Sequence, residues 1–421
     1  SDLAAAYIRG LQGDDLAHPG TVLATPKHYI GDGGTAWESS TTGDYSIDQG
    51  VTEVDEELLR AVHLPPYIRA IDEGARSIMV SYSSWGGQKM HAQRYLITDV
   101  LKGELGYTGF VVSDWGAVDQ ITNDYNEAVV TAVNSGIDMN MVPYDYRRFI
   151  ATLTTAVEAG DVSEDRINDA VRRILAVKFA LGLFERPHAD EDLIAAVGSD
   201  EHRAVAREAV AKSVVLLKNE GGLLPLDTDL PRLFVGGGAA DDIGIQTGGW
   251  TIEWQGATGD ITEGTTVLAA IRDTVSSSTT VVFDPFGRFE DADLEEPVVC
   301  LGVVGEKPYA EGFGDSAELN LPVTDLRMLT RMRDQCDQLV VILISGRPLI
   351  VSDLLAGWDA LVAAWLPGTE GQGVVDVLFG LEPFTGALPY TWPRSVEQLP
   401  LGGADLDADP LFPLGTGMGT G

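Results

Sequence analysis

Cysteine is almost missing from this chain: Cys300 and Cys336 are the only two in 421 residues. Two thiols exclude a disulfide-dense scaffold, and neither has the spacing of a metal site. Cys300 lies in the apolar run Val298-Val299-Cys300-Leu301, which predicts a buried free thiol rather than a bridge. Lysine is scarce, at seven residues, and positive charge is the minority sign: 28 Lys and Arg face 64 Asp and Glu, a formal net charge of −36. Nothing supplies a basic face for phosphates, which excludes nucleic acid as a partner. An acid excess of this size suits a saline or acidic habitat, or a secreted or periplasmic enzyme kept soluble by its charge. No apolar run has the length of a membrane span, so no membrane partner is expected. A leading Met and a signal-like segment are missing too. The chain opens within a helical pattern, and its start is expected to be a boundary set by processing or truncation.

The length suits two or three domains, and the pattern is α/β throughout. Strand-like runs at residues 22–30, 77–82, 110–114 and 137–142 alternate with helical patterns at 53–71, 94–104, 123–134, 147–158 and 163–179. Such βα repetition implies a parallel sheet. A closed (β/α)8 barrel needs eight strands and about 250 residues. Residues 1–185 are therefore expected to form the C-terminal part of a barrel whose N-terminal half is absent from this chain. Residues 186–208 read as an interdomain linker, entered through Arg186-Pro187-His188. Residues 209–421 read as an α/β sandwich domain. Its expected strands are 213–217, 233–235, 281–283, 298–303, 339–344 and 361–365; its helices are 265–274, 325–335 and 371–379.

Chemistry concentrates at the ends of these strands. Phe110-Val111-Val112-Ser113-Asp114-Trp115 places a carboxylate and an indole where a buried parallel strand runs out. In α/β barrels catalytic groups sit at that end; an Asp capping the next helix is the alternative. Lys27-His28 closes the first strand and runs into Gly31-Asp32-Gly33-Gly34. Both side chains can donate hydrogen bonds to hydroxyls, or else make an ion pair with Asp32 beside a structural His. Tyr82 ends the second strand and can bond the Asp114 carboxylate, a substrate or a core partner. Trp250 and Trp254 stand four apart in a Gly-flanked loop, as flat rings that stack on sugar faces do. Glu311 lies in the acidic loop Glu306-Lys307-Pro308-Tyr309-Ala310-Glu311 and can supply a second carboxyl, or be one solvated acid among many. Ser345-Gly346-Arg347-Pro348 carries an Arg that is structural or binds an acid. Gly236-Gly237-Gly238 hints at a dinucleotide loop without the full spacing.

Taken together, the Lys27-to-Gly33 run, Ser113-Asp114-Trp115, Trp250-to-Gly256 and Gly305-to-Glu311 resemble glycoside hydrolase family 3. Within it they look most like the exo-acting β-glucan glucohydrolases and β-glucosidases. The resemblance implies a barrel followed by an α/β sandwich, a retaining mechanism, Asp114 as nucleophile and Glu311 as acid/base. Retention needs the two carboxyls about 5–5.5 Å apart and a Glu311 that holds its proton, through burial or nearby negative charge. By the same resemblance, Lys27, His28 and Tyr82 hold the nonreducing-end sugar, and Trp115, Trp250 and Trp254 line a narrow slot. The implied substrate is a β-glucan or β-glucoside, with no cofactor and no metal.

The family's barrel begins well before Ser1, so an Asp and an Arg that grip sugar hydroxyls are expected from another chain or segment. The loop Gly33-Gly34-Thr35-Ala36-Trp37-Glu38-Ser39 lacks the His of the branch that cuts N-acetylglucosamine. A β-xylosidase, a catalytically incomplete carbohydrate-binding fragment and, more distantly, a nucleotide enzyme are the competing readings.

Overall fold

The computed structural model describes residues 2–43, 45–289, 298–401 and 409–419. It divides into two compact units, Ser1–Ile194 and Ala195–Gly421.

In the first unit, β1 (Ser77–Met79) pairs in parallel with β4 (Phe110–Val112), with Ile78 opposite Val111. Between them, β2 (Ser84–Trp85) and β3 (Gln88–Lys89) form an antiparallel ribbon. The other two expected strands do not form regular ladders. Residues 22–30 make one bridge, Tyr29 to Val80, and Pro26, which has no N–H to donate, only accepts from Met79. Residues 137–142 touch β4 through the single bridge of Met139 to Val112. The parallel order is kept even where the ladder is interrupted. Residues 53–71 also depart from one continuous helix: a π-helical turn, Leu59–His63, precedes the helix Pro65–Asp72, whose first residues are Pro65 and Pro66. Tyr95–Glu104 is π-helical as well.

Strand β4 is held by charge as much as by its apolar neighbours. Asp138 is buried, accepts the Val111 N–H at 2.8 Å and takes Lys102 Nζ at 2.8 Å and the Arg166 guanidinium. Burial pulls the Lys102 ammonium down to about 8 against the pull of Asp138. Arg173 donates to the carbonyls of Tyr107 and Gly109 at 2.8 and 2.9 Å, just before the strand starts. The helix Tyr125–Ser135 packs against this core through Ala128, Val129, Ala132 and Val133; Asp124 caps its first N–H groups.

The second unit is a six-stranded sheet. Its strands are β5 (Val215–Asn219), β6 (Arg232–Gly236), β7 (Thr280–Asp284), β8 (Val299–Gly305), β9 (Gln338–Ile344) and β10 (Ala360–Trp365). They lie in the order β5-β10-β9-β8-β6-β7, all parallel except β5, which runs against β10. Because β8 and β9 are buried on both faces, they read in sequence as nearly unbroken apolar runs. Alternate residues divide between two cores. Leu301, Val303, Val340 and Ile342 face the helices Asp200–Ser213, Val267–Thr274 and Gly371–Leu378. Cys300, Val304, Leu339 and Val341 face the helix Val323–Gln335.

The expectation of a free thiol is wrong. Cys300 and Cys336 form a disulfide, with Cα atoms 6.0 Å apart. Cys300 points to the face that the helix Val323–Gln335 covers, and Cys336 is the first residue beyond that helix. The chain then turns into β9, whose start pairs with Val299. The apolar run around Cys300 showed burial but not its neighbour 36 residues away. The glycine triplet is also explained by packing. A Cβ on Gly237 would sit 1.9 Å from the Val303 carbonyl oxygen, so this backbone needs Gly for close approach to β8.

Candidate active site

The geometry falls into two groups, one in each unit. In the first, Asp114 lies two residues beyond β4. Its own N–H donates to His91 Nε2 at 2.9 Å, and its Oδ1 accepts the Trp115 N–H at 2.7 Å. His28 Nε2 stands 3.6 Å from its Oδ2. The other ring nitrogen of His28 is 3.3 Å from Asp32, and Asp32 in turn accepts from Ser81 at 3.1 Å. One imidazole thus bridges two carboxylates at the ends of adjacent segments.

The two carboxylates differ electrostatically. Burial lifts the Asp114 carboxyl above its ordinary range; the Trp115 N–H and the charges of His28 and Lys27 oppose that shift without cancelling it. Burial lifts Asp32 too, but hydrogen bonds from His28 and Ser81, with the charges of His28 and Lys27, outweigh it and hold Asp32 low. His91 is pushed down to about 3 by burial, and by Lys89 and His28. A neutral His91 is what its contact requires, since Nε2 accepts and must carry no proton.

The Tyr82 hydroxyl donates to the Trp115 carbonyl, tying down the Trp115–Gly116 peptide. Trp115 is 55% exposed and meets Tyr144 edge to face at 6.1 Å between ring centres. Lys27 is exposed and, with His28, Asp32, His63 and Tyr67, lines a cavity of about 530 Å³.

In the second unit the sheet order reverses between β6 and β8, and such a switch point opens a crevice at the strands' carboxyl ends. The loops beyond β6 and β8 carry Trp250, Trp254 and Glu311. Trp250 and Trp254 are 67% and 42% exposed, with rings 6.4 Å apart. Phe313 stands edge-on to Trp254 at 5.5 Å. Glu311 is exposed and holds a left-handed backbone, φ 52°, which is uncommon for a residue with a side chain. The two loops are locked together. The Ala310 N–H donates to Gln255 Oε1 at 2.9 Å, and a Cβ on Gly249 would lie 2.1 Å from the Tyr309 carbonyl oxygen.

Against known proteins, residues 1–177 match the Glycosyl hydrolase family 3 N terminal domain, and residues 214–420 match the Glycosyl hydrolase family 3 C-terminal domain. The chain belongs to glycoside hydrolase family 3. A solved exo-1,3/1,4-beta-glucanase mutant from a Pseudoalteromonas species is 38% identical with a TM-score of 0.91, over 99% of this chain and 68% of that one. A solved beta-glucosidase from Listeria innocua, in complex with glucose, is 27% identical with a TM-score of 0.84, over all of this chain and 61% of that one. A lysosomal beta glucosidase of Dictyostelium discoideum is 32% identical over 93% of this chain and 51% of its own length. This family 3 chain thus spans about half the length of the curated relatives it matches.

Sequence reading missed His91, Gln255 and the bridging role of His28. A lone His 23 residues before Asp114 carries no local signal, because its role depends on chain segments that meet only in the fold.

Proposed function

We propose that this family 3 chain carries the two catalytic carboxyls of a retaining, exo-acting β-glucosidase that releases glucose from the nonreducing ends of β-glucans and β-oligoglucosides. The observation that carries the reading is the Asp114 carboxylate, backed by the Trp115 N–H and faced by His28 just beyond a buried parallel strand. Asp114 attacks the anomeric carbon while Glu311 protonates the leaving oxygen. Water activated by Glu311 then releases the glycosyl enzyme. Lys27 and His28 donate to sugar hydroxyls, Tyr82 steadies the Trp115–Gly116 peptide, and Trp115, Trp250 and Trp254 offer ring faces to the glucose units.

The strands 22–30, β1, β4 and 137–142 are proposed as consecutive members of a (β/α)8 barrel completed by a further chain or segment. The domain limits 1–185 and 209–421, joined by 186–208, belong to the same proposal. The bridge of Cys300 and Cys336 supports a secreted or periplasmic setting, where disulfides persist. Among the described residues no helix is long and apolar enough to cross a membrane.

A second reading, a β-xylosidase, draws on a relative of that name from Formosa agariphila, 28% identical over 99% of this chain. Incubation with a 2-fluoro-β-glucoside, and in parallel the 2-fluoro-β-xyloside, followed by peptide mass spectrometry, separates the two. Label on Asp114 from the glucoside supports the first reading and label from the xyloside alone the second. No label on Asp114 from either defeats both.

A further inference from the structure

The Glu311 loop hangs between two small structures that its sequence does not announce. At its start, Glu306 accepts from Arg347 twice, Nε at 3.1 Å and Nη2 at 2.7 Å, both on Oε1. The other oxygen of Glu306 accepts the Tyr309 hydroxyl at 3.0 Å. The Arg347 guanidinium lies over the Tyr309 ring, 4.6 Å from its centre. Its remaining arm donates to the Gly314 carbonyl, beyond Glu311. One planar cation therefore touches the loop before and after the acid. Arg347 itself sits just past β9, on the strand next to β8.

A left-handed non-glycine residue is strained and persists only when its surroundings overdetermine it. Glu311 is such a residue. The Arg347 fork supplies the constraint on one side, and the Gln255 contact to Ala310 supplies it on the other.

We propose that Arg347 is a positioning residue that sets the aim of the Glu311 carboxyl, the Glu306 carboxylate being its anchor. The inference rests on the reading of Glu311 as acid/base. A guanidinium is required rather than any cation, because the fork must meet Glu306, the Tyr309 face and the Gly314 carbonyl together. Misaiming a general acid by about 1 Å costs roughly 10²-fold in rate, and the loss falls on substrates that need protonation.

The test compares Arg347→Met, Arg347→Lys and Glu306→Gln with Glu311→Ala in the intact protein. Each is assayed on cellobiose and on 2,4-dinitrophenyl β-glucoside, whose leaving group needs little acid help. Arg347→Met is expected to lose about 10²-fold in kcat/KM on cellobiose and under about 5-fold in kcat/KM on the aryl glucoside, because kcat/KM reports the glycosylation step alone. Glu306→Gln should follow it, and Arg347→Lys should fall between. Equal losses of kcat/KM on both substrates, or none, overturn the proposal. If Arg347→Met does not fold, as judged by circular dichroism, Glu306→Gln and Arg347→Lys decide by the same criterion. Glu311→Ala reads the premise separately. Should it show no leaving-group dependence, the acid/base assignment fails whatever the Arg347 variants do.

Discussion

The two carboxyl-bearing ends of this molecule are built in opposite ways. Asp114 follows a three-residue strand whose middle is locked by the buried Asp138 and whose carboxyl is embraced by a backbone N–H and an imidazole. Backbone and imidazole contacts fix its position, and burial raises its affinity for a proton. Glu311 is exposed, sits on a loop in a disfavoured backbone region, and is aimed by groups from other strands and loops. If Asp114 is the nucleophile proposed above, it must approach one atom along one line, and a rigid strand end suits that. A proton donor must reach a leaving group that differs between substrates, and a braced loop suits that task.

The sharpest way to break the comparison is to remove Asp114. Asp114→Ala should lower turnover of an aryl β-glucoside by about 10⁴-fold or more, the scale on which loss of a nucleophile acts. A variant that keeps even a tenth of the activity would end the assignment. In the wild type, activity on the acid side should decline through a pKa above the ordinary carboxylate range, because the proposed nucleophile Asp114 must be ionised and burial raises it. A pH profile of kcat/KM checks that limb.

Next in size is Glu311→Ala. It should cost about 10²–10⁴-fold on unactivated glucosides, and azide should restore aryl glucoside turnover as a glucosyl azide of retained configuration.

Smaller in consequence is the support beneath β4. Asp138→Ala leaves Lys102 and Arg166 with the partly exposed Asp169 as their one remaining shared carboxylate, and weakening such a buried network costs up to about 3–5 kcal/mol. Urea unfolding measures it. A midpoint that does not move would mean that packing, not charge, holds the strand.

The smallest effect concerns Asp325, beneath the root of the Glu311 loop. It accepts the Gly305 N–H at 3.2 Å, and burial raises its carboxyl to about 6. The folded state therefore binds this proton more tightly than the unfolded chain, so the stability it contributes is present below about pH 4 and is lost as pH rises toward 6. Asp325→Asn keeps the acceptor and removes the charge. It should flatten that slope and raise stability at neutral pH by about 1–3 kcal/mol. Unchanged pH dependence in thermal unfolding would show that Asp325 does not titrate in this range.

Much of the architecture was legible because burial writes itself into composition. The sandwich strands β8 and β9 are apolar on both faces and show up as unbroken runs, and the helix Tyr125–Ser135 announces itself by Asp124 and Gly136 at its ends. The motif around Asp114 was visible for the same reason, an acid following a buried strand. Residues 22–30 misled because an apolar stretch with Pro26 in it looks like a strand whether or not its ladder is complete. Cys300 misled because an apolar neighbourhood is equally that of a buried thiol and of a buried bridge.

By itself the sequence determined the family, the α/β alternation, the acids and indoles that sit at strand ends, and the poverty of positive charge. These are properties of residue type and local spacing, and every copy of the chain displays them before folding. Only the tertiary structure decided which groups meet: His91 with the Asp114 amide, His28 between two carboxylates, Arg347 astride the Glu311 loop, Cys300 with Cys336. Such pairings join residues far apart in the chain, as His28 and Asp114 are, and the register of strands and helices that brings them together is set by the packing of the whole core.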